Sequence, residues 1–363
     1  MKYGIIFGGQ SYEHDVSILT AIAVKNALKG KNLVFIYCDA NRRFFEIEEG
    51  NMVASYFARN FARSHSANTD AAEGGFSSQT SYGSKLKELT LSYGGFYTSG
   101  MFSKSRLEID VCINTIHGGD GCDGKLASLL EFYEIPQIGP RLEASAVSHN
   151  KILTKNLAKN AGVKVINYAV LKRTSLPSFN YPVIIKPAHL GSSIGASIVN
   201  SDMELDKIID KVFKLDSEVI VEPFVKDVKE YSLAGCKIGG EIVFSKFGQP
   251  VKKDFLDFGR KYIDTTQPNT VTEQTVGISI ADKMKDAFAK IYNSGFEGSI
   301  IRCDFFVFNN EIYLNEINPV PAALASYLFN DFGAIIDGLS TSLPQYKKIP
   351  VTYDLVTQIT ANK

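Results

Sequence analysis

The sequence has no surplus of charge of either sign: 39 lysines and arginines stand against 39 aspartates and glutamates, a formal net charge of zero. Such a balance gives no long-range pull toward nucleic acid or an anionic membrane, although local basic pockets for phosphate remain open. Cysteine is scarce. Cys38, Cys112, Cys122, Cys236 and Cys303 are odd in number, scattered and without a C-x-x-C spacing, which speaks against a disulfide framework or a zinc site. No run reaches the roughly 18 apolar residues needed to cross a bilayer. The opening MKYGIIFGG has no basic segment followed by a long apolar stretch and a cleavage site, so a cytoplasmic protein is expected. Internal repeats and heptad seams are missing. The spacing G-x-x-x-x-G-K-[ST] is missing too, which excludes a P-loop.

What is present suits a soluble globular protein. Of the 363 residues 45% are hydrophobic and 21% charged, and such a chain holds two or three domains with a core that needs no structural metal. The apolar run at 3–7 ending in Gly8-Gly9 reads as a buried strand entering a glycine turn. Helix-like spacing over Ser17–Leu28 and a second strand over Leu33–Tyr37 follow, the order of a parallel α/β sheet. Residues 60–85, rich in Ser, Gly, Ala and Asn, read as an exposed or mobile insertion. An α/β pattern returns at Ile109–Ile116, a glycine-rich turn at 117–124 and a helix at Lys125–Tyr133. The expected division is an α/β domain over 1–145, a central α+β unit over 146–236 and a last unit over 237–363.

Three constellations carry chemistry. Lys186-Pro187 precedes Gly191-Ser192-Ser193-Ile194-Gly195. A lysine at a strand end supplies positive charge, and the small residues let backbone N–H groups approach phosphate oxygens. A plain hairpin turn is the alternative. Next, Asp304 in IIRCDFFVF and Glu316 in EIYLNEINP read as antiparallel strands joined at Asn309-Asn310. Glu316 and Asn318, two apart, share a face, with Asp304 able to lie opposite. Two carboxylates and an amide oxygen suit Mg²⁺, and a solvent-facing polar stripe is the alternative. The third is the basic set Lys151, Lys186, Lys261 and Arg302, which matters only if the fold gathers it.

These segments, in this order, resemble D-alanine–D-alanine ligases. The likeness rests on FGGQSYEHDVS (7–17), HGGDGCDG (117–124), Asn150-Lys151, IIKPAHLGSSIG (184–195), VEPFV (221–225), Glu230, GRKY (259–262), RCD (302–304) and NEINPVP (315–321). It implies an ATP-grasp fold, an N-terminal parallel α/β domain followed by two subdomains enclosing the nucleotide. It implies ATP and two Mg²⁺ ions, with Mn²⁺ as a substitute, two D-alanine molecules as substrates, a homodimer, and peptidoglycan precursor synthesis.

By this resemblance Glu13 binds the ammonium of the first D-alanine, with Ser17 and His117 beside it. Lys151 and Lys186 reach the ATP phosphates, and Ser192 lies in the loop over them. Glu222 and the backbone of Val225 form the adenine hinge, and Glu230 holds the ribose. Asp304, Glu316 and Asn318 hold the metals, and Arg302 faces the tetrahedral intermediate. Lys261, counted with the ATP-binding residues, and Tyr262 lie on a lid over 248–270 and imply an amine acceptor. Two positions depart from the family pattern. Cys122 replaces a glutamate. Ala322 replaces a glycine after Pro321, and Ser326 is the nearest match to the serine that binds the acceptor carboxylate. Another ATP-grasp ligase, or a non-catalytic nucleotide-binding homologue, is the alternative reading.

Overall fold

The computed structural model describes residues 1–61, 86–99, 104–173, 180–226, 228–250, 271–273, 275–345 and 348–361. Nearly all of the expected insertion and of the expected lid, Lys261 and Tyr262 included, lies outside these residues.

The opening apolar run forms β1 (Lys2–Gly8), followed by α1 (His14–Ala27), β2 (Asn32–Cys38) and β3 (Phe44–Ile47). Val16, Ile18, Ala21 and Val24 recur at helical spacing and bury the inner face of α1, as an amphipathic helix on a sheet requires. A short α2 (Ala54–Asn60), then β4 (Lys87–Ser92), β5 (Gly95–Ser99), β6 (Lys104–Arg106) and β7 (Val111–Asn114) come next. After them lie α3 (Gly119–Cys122), α4 (Lys125–Phe132) and β8 (Gln137–Ile138). The strands join in the order β6-β5-β4-β3-β2-β1-β7-β8. β2, β1, β7 and β8 run parallel, and β3 to β6 extend the sheet antiparallel. The parallel centre reads in the sequence as continuous apolar runs because both faces are covered.

The chain continues through α5 (Leu142–His149), α6 (Lys151–Asn160), β9 (Ala169–Leu171), β10 (Val183–Pro187), β11 (Ser197–Val199), α7 (Asp202–Leu215) and β12 (Val219–Pro223). A small antiparallel sheet of order β11-β10-β12-β9 results, with Leu205 and Val212 of α7 packed on Val183, Ile185, Val219 and Val221. β13 (Lys229–Ile238), β14 (Glu241–Pro250), β15 (Val271–Glu273), α8 (Ile278–Tyr292), β16 (Ile301–Phe308) and β17 (Glu311–Asn318) follow. They give a third sheet, β15-β14-β13-β16-β17. Asn309 and Asn310 both take positive φ (51° and 59°), the backbone of a two-residue hairpin turn. Last come α9 (Phe332–Thr341) and α10 (Asp354–Ala361).

Alternation decides which face of the third sheet is apolar. Leu233, Cys303, Phe305 and Ile317 point into one core with Met284 and Phe288 of α8, leaving the residues between them on the opposite face. The first sheet is also tied to α9. The Tyr3 hydroxyl donates to Asp337 Oδ1 at 2.7 Å, and Lys31 pairs with the other oxygen of that carboxylate in α9. Position 145 falls inside α5, which the proline-flanked sequence before it conceals, and position 236 falls inside β13.

Candidate active site

β1 ends in a turn that only glycine can make. Gly8 has φ of 96°, and a Cβ there would lie 2.2 Å from the Cys38 carbonyl oxygen. The turn brings Glu13, the residue before α1, to the carboxyl end of the parallel strands, where open α/β sheets bind ligands. Glu13 is 9% exposed, so its carboxylate is held by protein. Ser192 Oγ donates a short hydrogen bond to Glu13 Oε1, linking the first sheet to the Gly191–Gly195 loop. Gly118, at φ 61°, lies directly behind: a Cβ there would come within 2.7 Å of Glu13 Oε2. Ser192 and Ser193 take positive φ (53° and 63°), a backbone that turns N–H groups toward a common point.

Ser17, fully buried, accepts from the Gly8 N–H and donates to the Thr115 carbonyl, both at 2.8 Å. It therefore braces the two strand ends. His117 Nε2 lies 2.7 Å from Thr20 Oγ1, and that oxygen accepts from the Ala323 N–H at 3.1 Å. Burial, and then the charge of Arg302, push the His117 imidazole down to about 3, so it is neutral at physiological pH. Cys122 is buried with its thiol against the Ile116 carbonyl. Burial, and then Glu13, push that thiol up, so the cysteine packs the loop and adds no charge to it.

A second group lies under the Gly191–Gly195 loop. Asn150 caps α6 by accepting from the Ile152 and Leu153 N–H groups, as asparagine does well. Lys151 begins the helix and donates to the Leu190 carbonyl. Burial works against its charge, with Glu316 and Glu222 opposing that push. Lys186 on β10 meets Glu222 Oε2 at 2.6 Å, and Lys155 meets Oε1 at 2.5 Å.

The third group is set by strand register. Ser232 pairs with Asp304, Asp304 with Glu316, and Arg302 with Asn318. Directly paired residues project to one side, and so do residues two apart. Glu230, Ser232, Arg302, Asp304, Glu316 and Asn318 therefore share the face turned away from the apolar core. The Arg302 guanidinium grips Asp304 through Nε (2.9 Å) and Nη2 (2.8 Å). Ser232 Oγ donates to Asp304 Oδ1 at 2.5 Å, and Asn318 Nδ2 to Oδ2 at 2.9 Å. Burial opposes ionisation of Asp304, but Arg302 holds the carboxyl below the usual carboxylate range. Arg302 Nη1 reaches the Tyr327 hydroxyl at 3.5 Å.

Models of the D-ala D-ala ligase N-terminus and C-terminus match residues 2–140 and 157–332. The chain belongs to the D-alanine–D-alanine ligase family. It is 49% identical over 363 residues to the D-alanine--D-alanine ligase of Campylobacter concisus, covering 100% of this chain and 99% of the relative. It is 43% identical to that of Helicobacter pylori strain Shi470, over 100% of both chains. The crystal structure of D-alanine-D-alanine ligase from Helicobacter pylori superposes with a TM-score of 0.80 at 40% identity, covering 96% of this chain and 100% of the other. The ATP-grasp architecture expected from the sequence is thereby shown.

In this ligase the expected site residues gather in three places. Glu13 and Ser192 touch, with Ser17 and His117 behind Glu13. Lys151, Lys186 and Glu222 meet beneath the loop. Arg302, Asp304, Glu316, Asn318 and Glu230 share one sheet face. Val225 lies in the half-buried connection between β12 and β13, and Ser326 in the segment after β17. Ala322 does not need the positive φ that a glycine supplies, because the left-handed residues are the next three, Ala323, Leu324 and Ala325. Lys261 and Tyr262 lie outside the described residues, as does nearly all of the expected lid.

Three participants escape a reading of the sequence, Thr20, Lys155 and Ser232, and a fourth, Tyr327, stands out there only as a neighbour of Ser326. Each carried a positional signal. Thr20 lies one helical turn past Ser17, Lys155 one turn past Lys151, and Ser232 two residues past Glu230 on one strand. Tyr327 adjoins Ser326 but gains meaning only from its contact with Arg302.

Proposed function

We propose that this chain joins two D-alanine molecules at the expense of ATP, giving D-alanyl-D-alanine, ADP and phosphate for peptidoglycan precursor synthesis in the cytoplasm. The observation that carries the reading is the contact of Glu13 with Ser192. That contact sets Glu13 against the small-residue loop that follows Lys186, which supports an amino-acid anchor beside a phosphate-binding loop. Glu13 binds the ammonium of the first D-alanine, so that its carboxylate faces the γ-phosphate. Lys151 and Lys186 neutralise phosphate charge, and Glu230 with the Val225 backbone hold the ribose and adenine. Phosphorylation of the carboxylate makes it an electrophile. The amine of the second D-alanine attacks, and Arg302 stabilises the oxyanion that develops. Phosphate then leaves.

Asp304, Glu316 and Asn318 fit Mg²⁺, or Mn²⁺ in its place. They offer two facing carboxylates and an amide oxygen, the hard donors such an ion takes. Arg302 supplies positive charge beside Asp304. A bound divalent cation would neutralise charge on the transferring phosphoryl group.

Incubation with D-alanine, MgATP and excess D-lactate, with products resolved by mass, tests the reading. D-alanyl-D-alanine and phosphate are expected in equal amounts. Phosphate without dipeptide, or mostly D-alanyl-D-lactate, would overturn it. Glu13→Gln keeps the shape but loses the ion pair, worth about 1.5–3 kcal/mol for a charge-assisted bond. The KM for the first D-alanine is expected to rise roughly 10- to 100-fold, with kcat little changed. A fall in kcat at constant KM would remove Glu13 from ammonium binding.

A further inference from the structure

Glu222 is only 2% exposed, and each of its carboxylate oxygens faces a different lysine. Lys186, from the neighbouring strand, takes Oε2 at 2.6 Å, and Lys155, from α6, takes Oε1 at 2.5 Å. The two lysines differ in surroundings. The Lys186 side chain retains 14% exposure and stands at the mouth of the Gly191–Gly195 loop, whereas that of Lys155 retains 3%. Lys155 is further fixed by the ring of Tyr168, 5.6 Å from its ammonium. Tyr168 is itself anchored to Asn156 at 3.0 Å and covered by Lys159. Lys155 is thus a standing partner of Glu222, and Lys186 is the partner placed to leave.

In the proposed reaction Lys186 goes to the ATP phosphates. A buried carboxylate that loses its counter-ion is strongly destabilised unless another charge remains. We propose that Lys155 is a positioning residue, the permanent counter-ion of Glu222, which frees Lys186 to bind the nucleotide without forcing Glu222 to take up a proton. The inference rests on the nucleotide-binding reading of this site. The groups facing Glu222 are Lys186 from β10 and Lys155 and Lys151 from α6, with Lys159 and Tyr168 next to Lys155. With Lys155 present, the carboxyl is held below the usual range against the push of burial, by Lys186 and then Lys155. Without Lys155, the departure of Lys186 would leave only the more distant Lys151, and Glu222 would protonate as nucleotide binds.

The test is the pH dependence of affinity for a non-hydrolysable ATP analogue with magnesium, measured by calorimetry. The wild-type protein is expected to bind with a nearly flat profile around neutral pH and with no net proton uptake in buffers of different ionisation enthalpy. Lys155→Met is expected to bind roughly tenfold or more weakly, with affinity falling by up to about tenfold per pH unit as pH rises, the slope of one proton taken up. Lys155→Arg, which keeps the charge, should restore the flat profile. A loss of packing alone would lower stability without creating the proton uptake. If Lys155→Met binds as the wild type does at every pH, the proposal is overturned. Uptake of about one proton by the wild type itself also overturns it, and that measurement stands even if the variants do not fold. If the wild type does not bind the analogue at all, the nucleotide-site reading falls first and this inference with it.

Discussion

Asp304→Ala is expected to abolish dipeptide synthesis while leaving the protein folded. Asp304 is the hub of the shared sheet face: Arg302, Ser232 and Asn318 all donate to its two oxygens, and Glu316 lies opposite in the register. Its removal takes away a proposed metal ligand and, in the same stroke, leaves the Arg302 guanidinium without its bidentate acceptor. Unpairing a buried charge typically costs about 3–5 kcal/mol, so the melting temperature should fall as well. Asp304→Asn keeps the volume and separates the two effects. It should remain closer to wild type in stability and still be inactive. Steady-state product formation with circular dichroism of both variants checks this. Near wild-type turnover by Asp304→Asn, or by Glu316→Ala, would mean that these carboxylates do not hold the metal.

Arg302→Ala is expected to lower kcat by roughly 10²–10³, the usual effect of removing an oxyanion donor. The KM for the first D-alanine should change little, since in the proposed reaction Glu13 and not Arg302 fixes its ammonium. Arg302→Lys keeps the charge but cannot reproduce the two-point grip on Asp304, and lysine and arginine are not interchangeable at such a site. An intermediate kcat is expected from it. If the alanine variant instead raises KM with kcat unchanged, Arg302 contributes uniform binding and not stabilisation of developing charge.

Much of this site was legible before the fold. The hairpin of β16 and β17 followed from two apolar runs around Asn309-Asn310, and the two-residue period placed Glu316 and Asn318 on one face. The register supplied what spacing alone left open, because a slip of one residue would have put Asp304 in the core. Glu222 was harder. A lone glutamate ending the apolar run of β12 gives no hint that two lysines, 36 and 67 positions earlier in the sequence, converge on it. Lys155 was invisible for a related reason. In KILTKNLAKN a lysine every four residues resembles an ordinary solvated stripe, and only tertiary packing distinguishes the buried one. The antiparallel extension from β3 to β6 was also missed, since short edge strands separated by turns carry little periodicity of their own.

α1 carries Glu13 just ahead of its first turn and Thr20 seven residues on, where the Thr20 hydroxyl receives the Ala323 N–H. At 1.5 Å of rise per residue the two lie about 10 Å apart along the helix axis. That span is a length of rigid rod, and it cannot stretch without breaking helical hydrogen bonds. Glu13 at one end and the left-handed turn after β17 at the other are therefore gauged against each other by covalent geometry. The loops between them can vary without changing that measure.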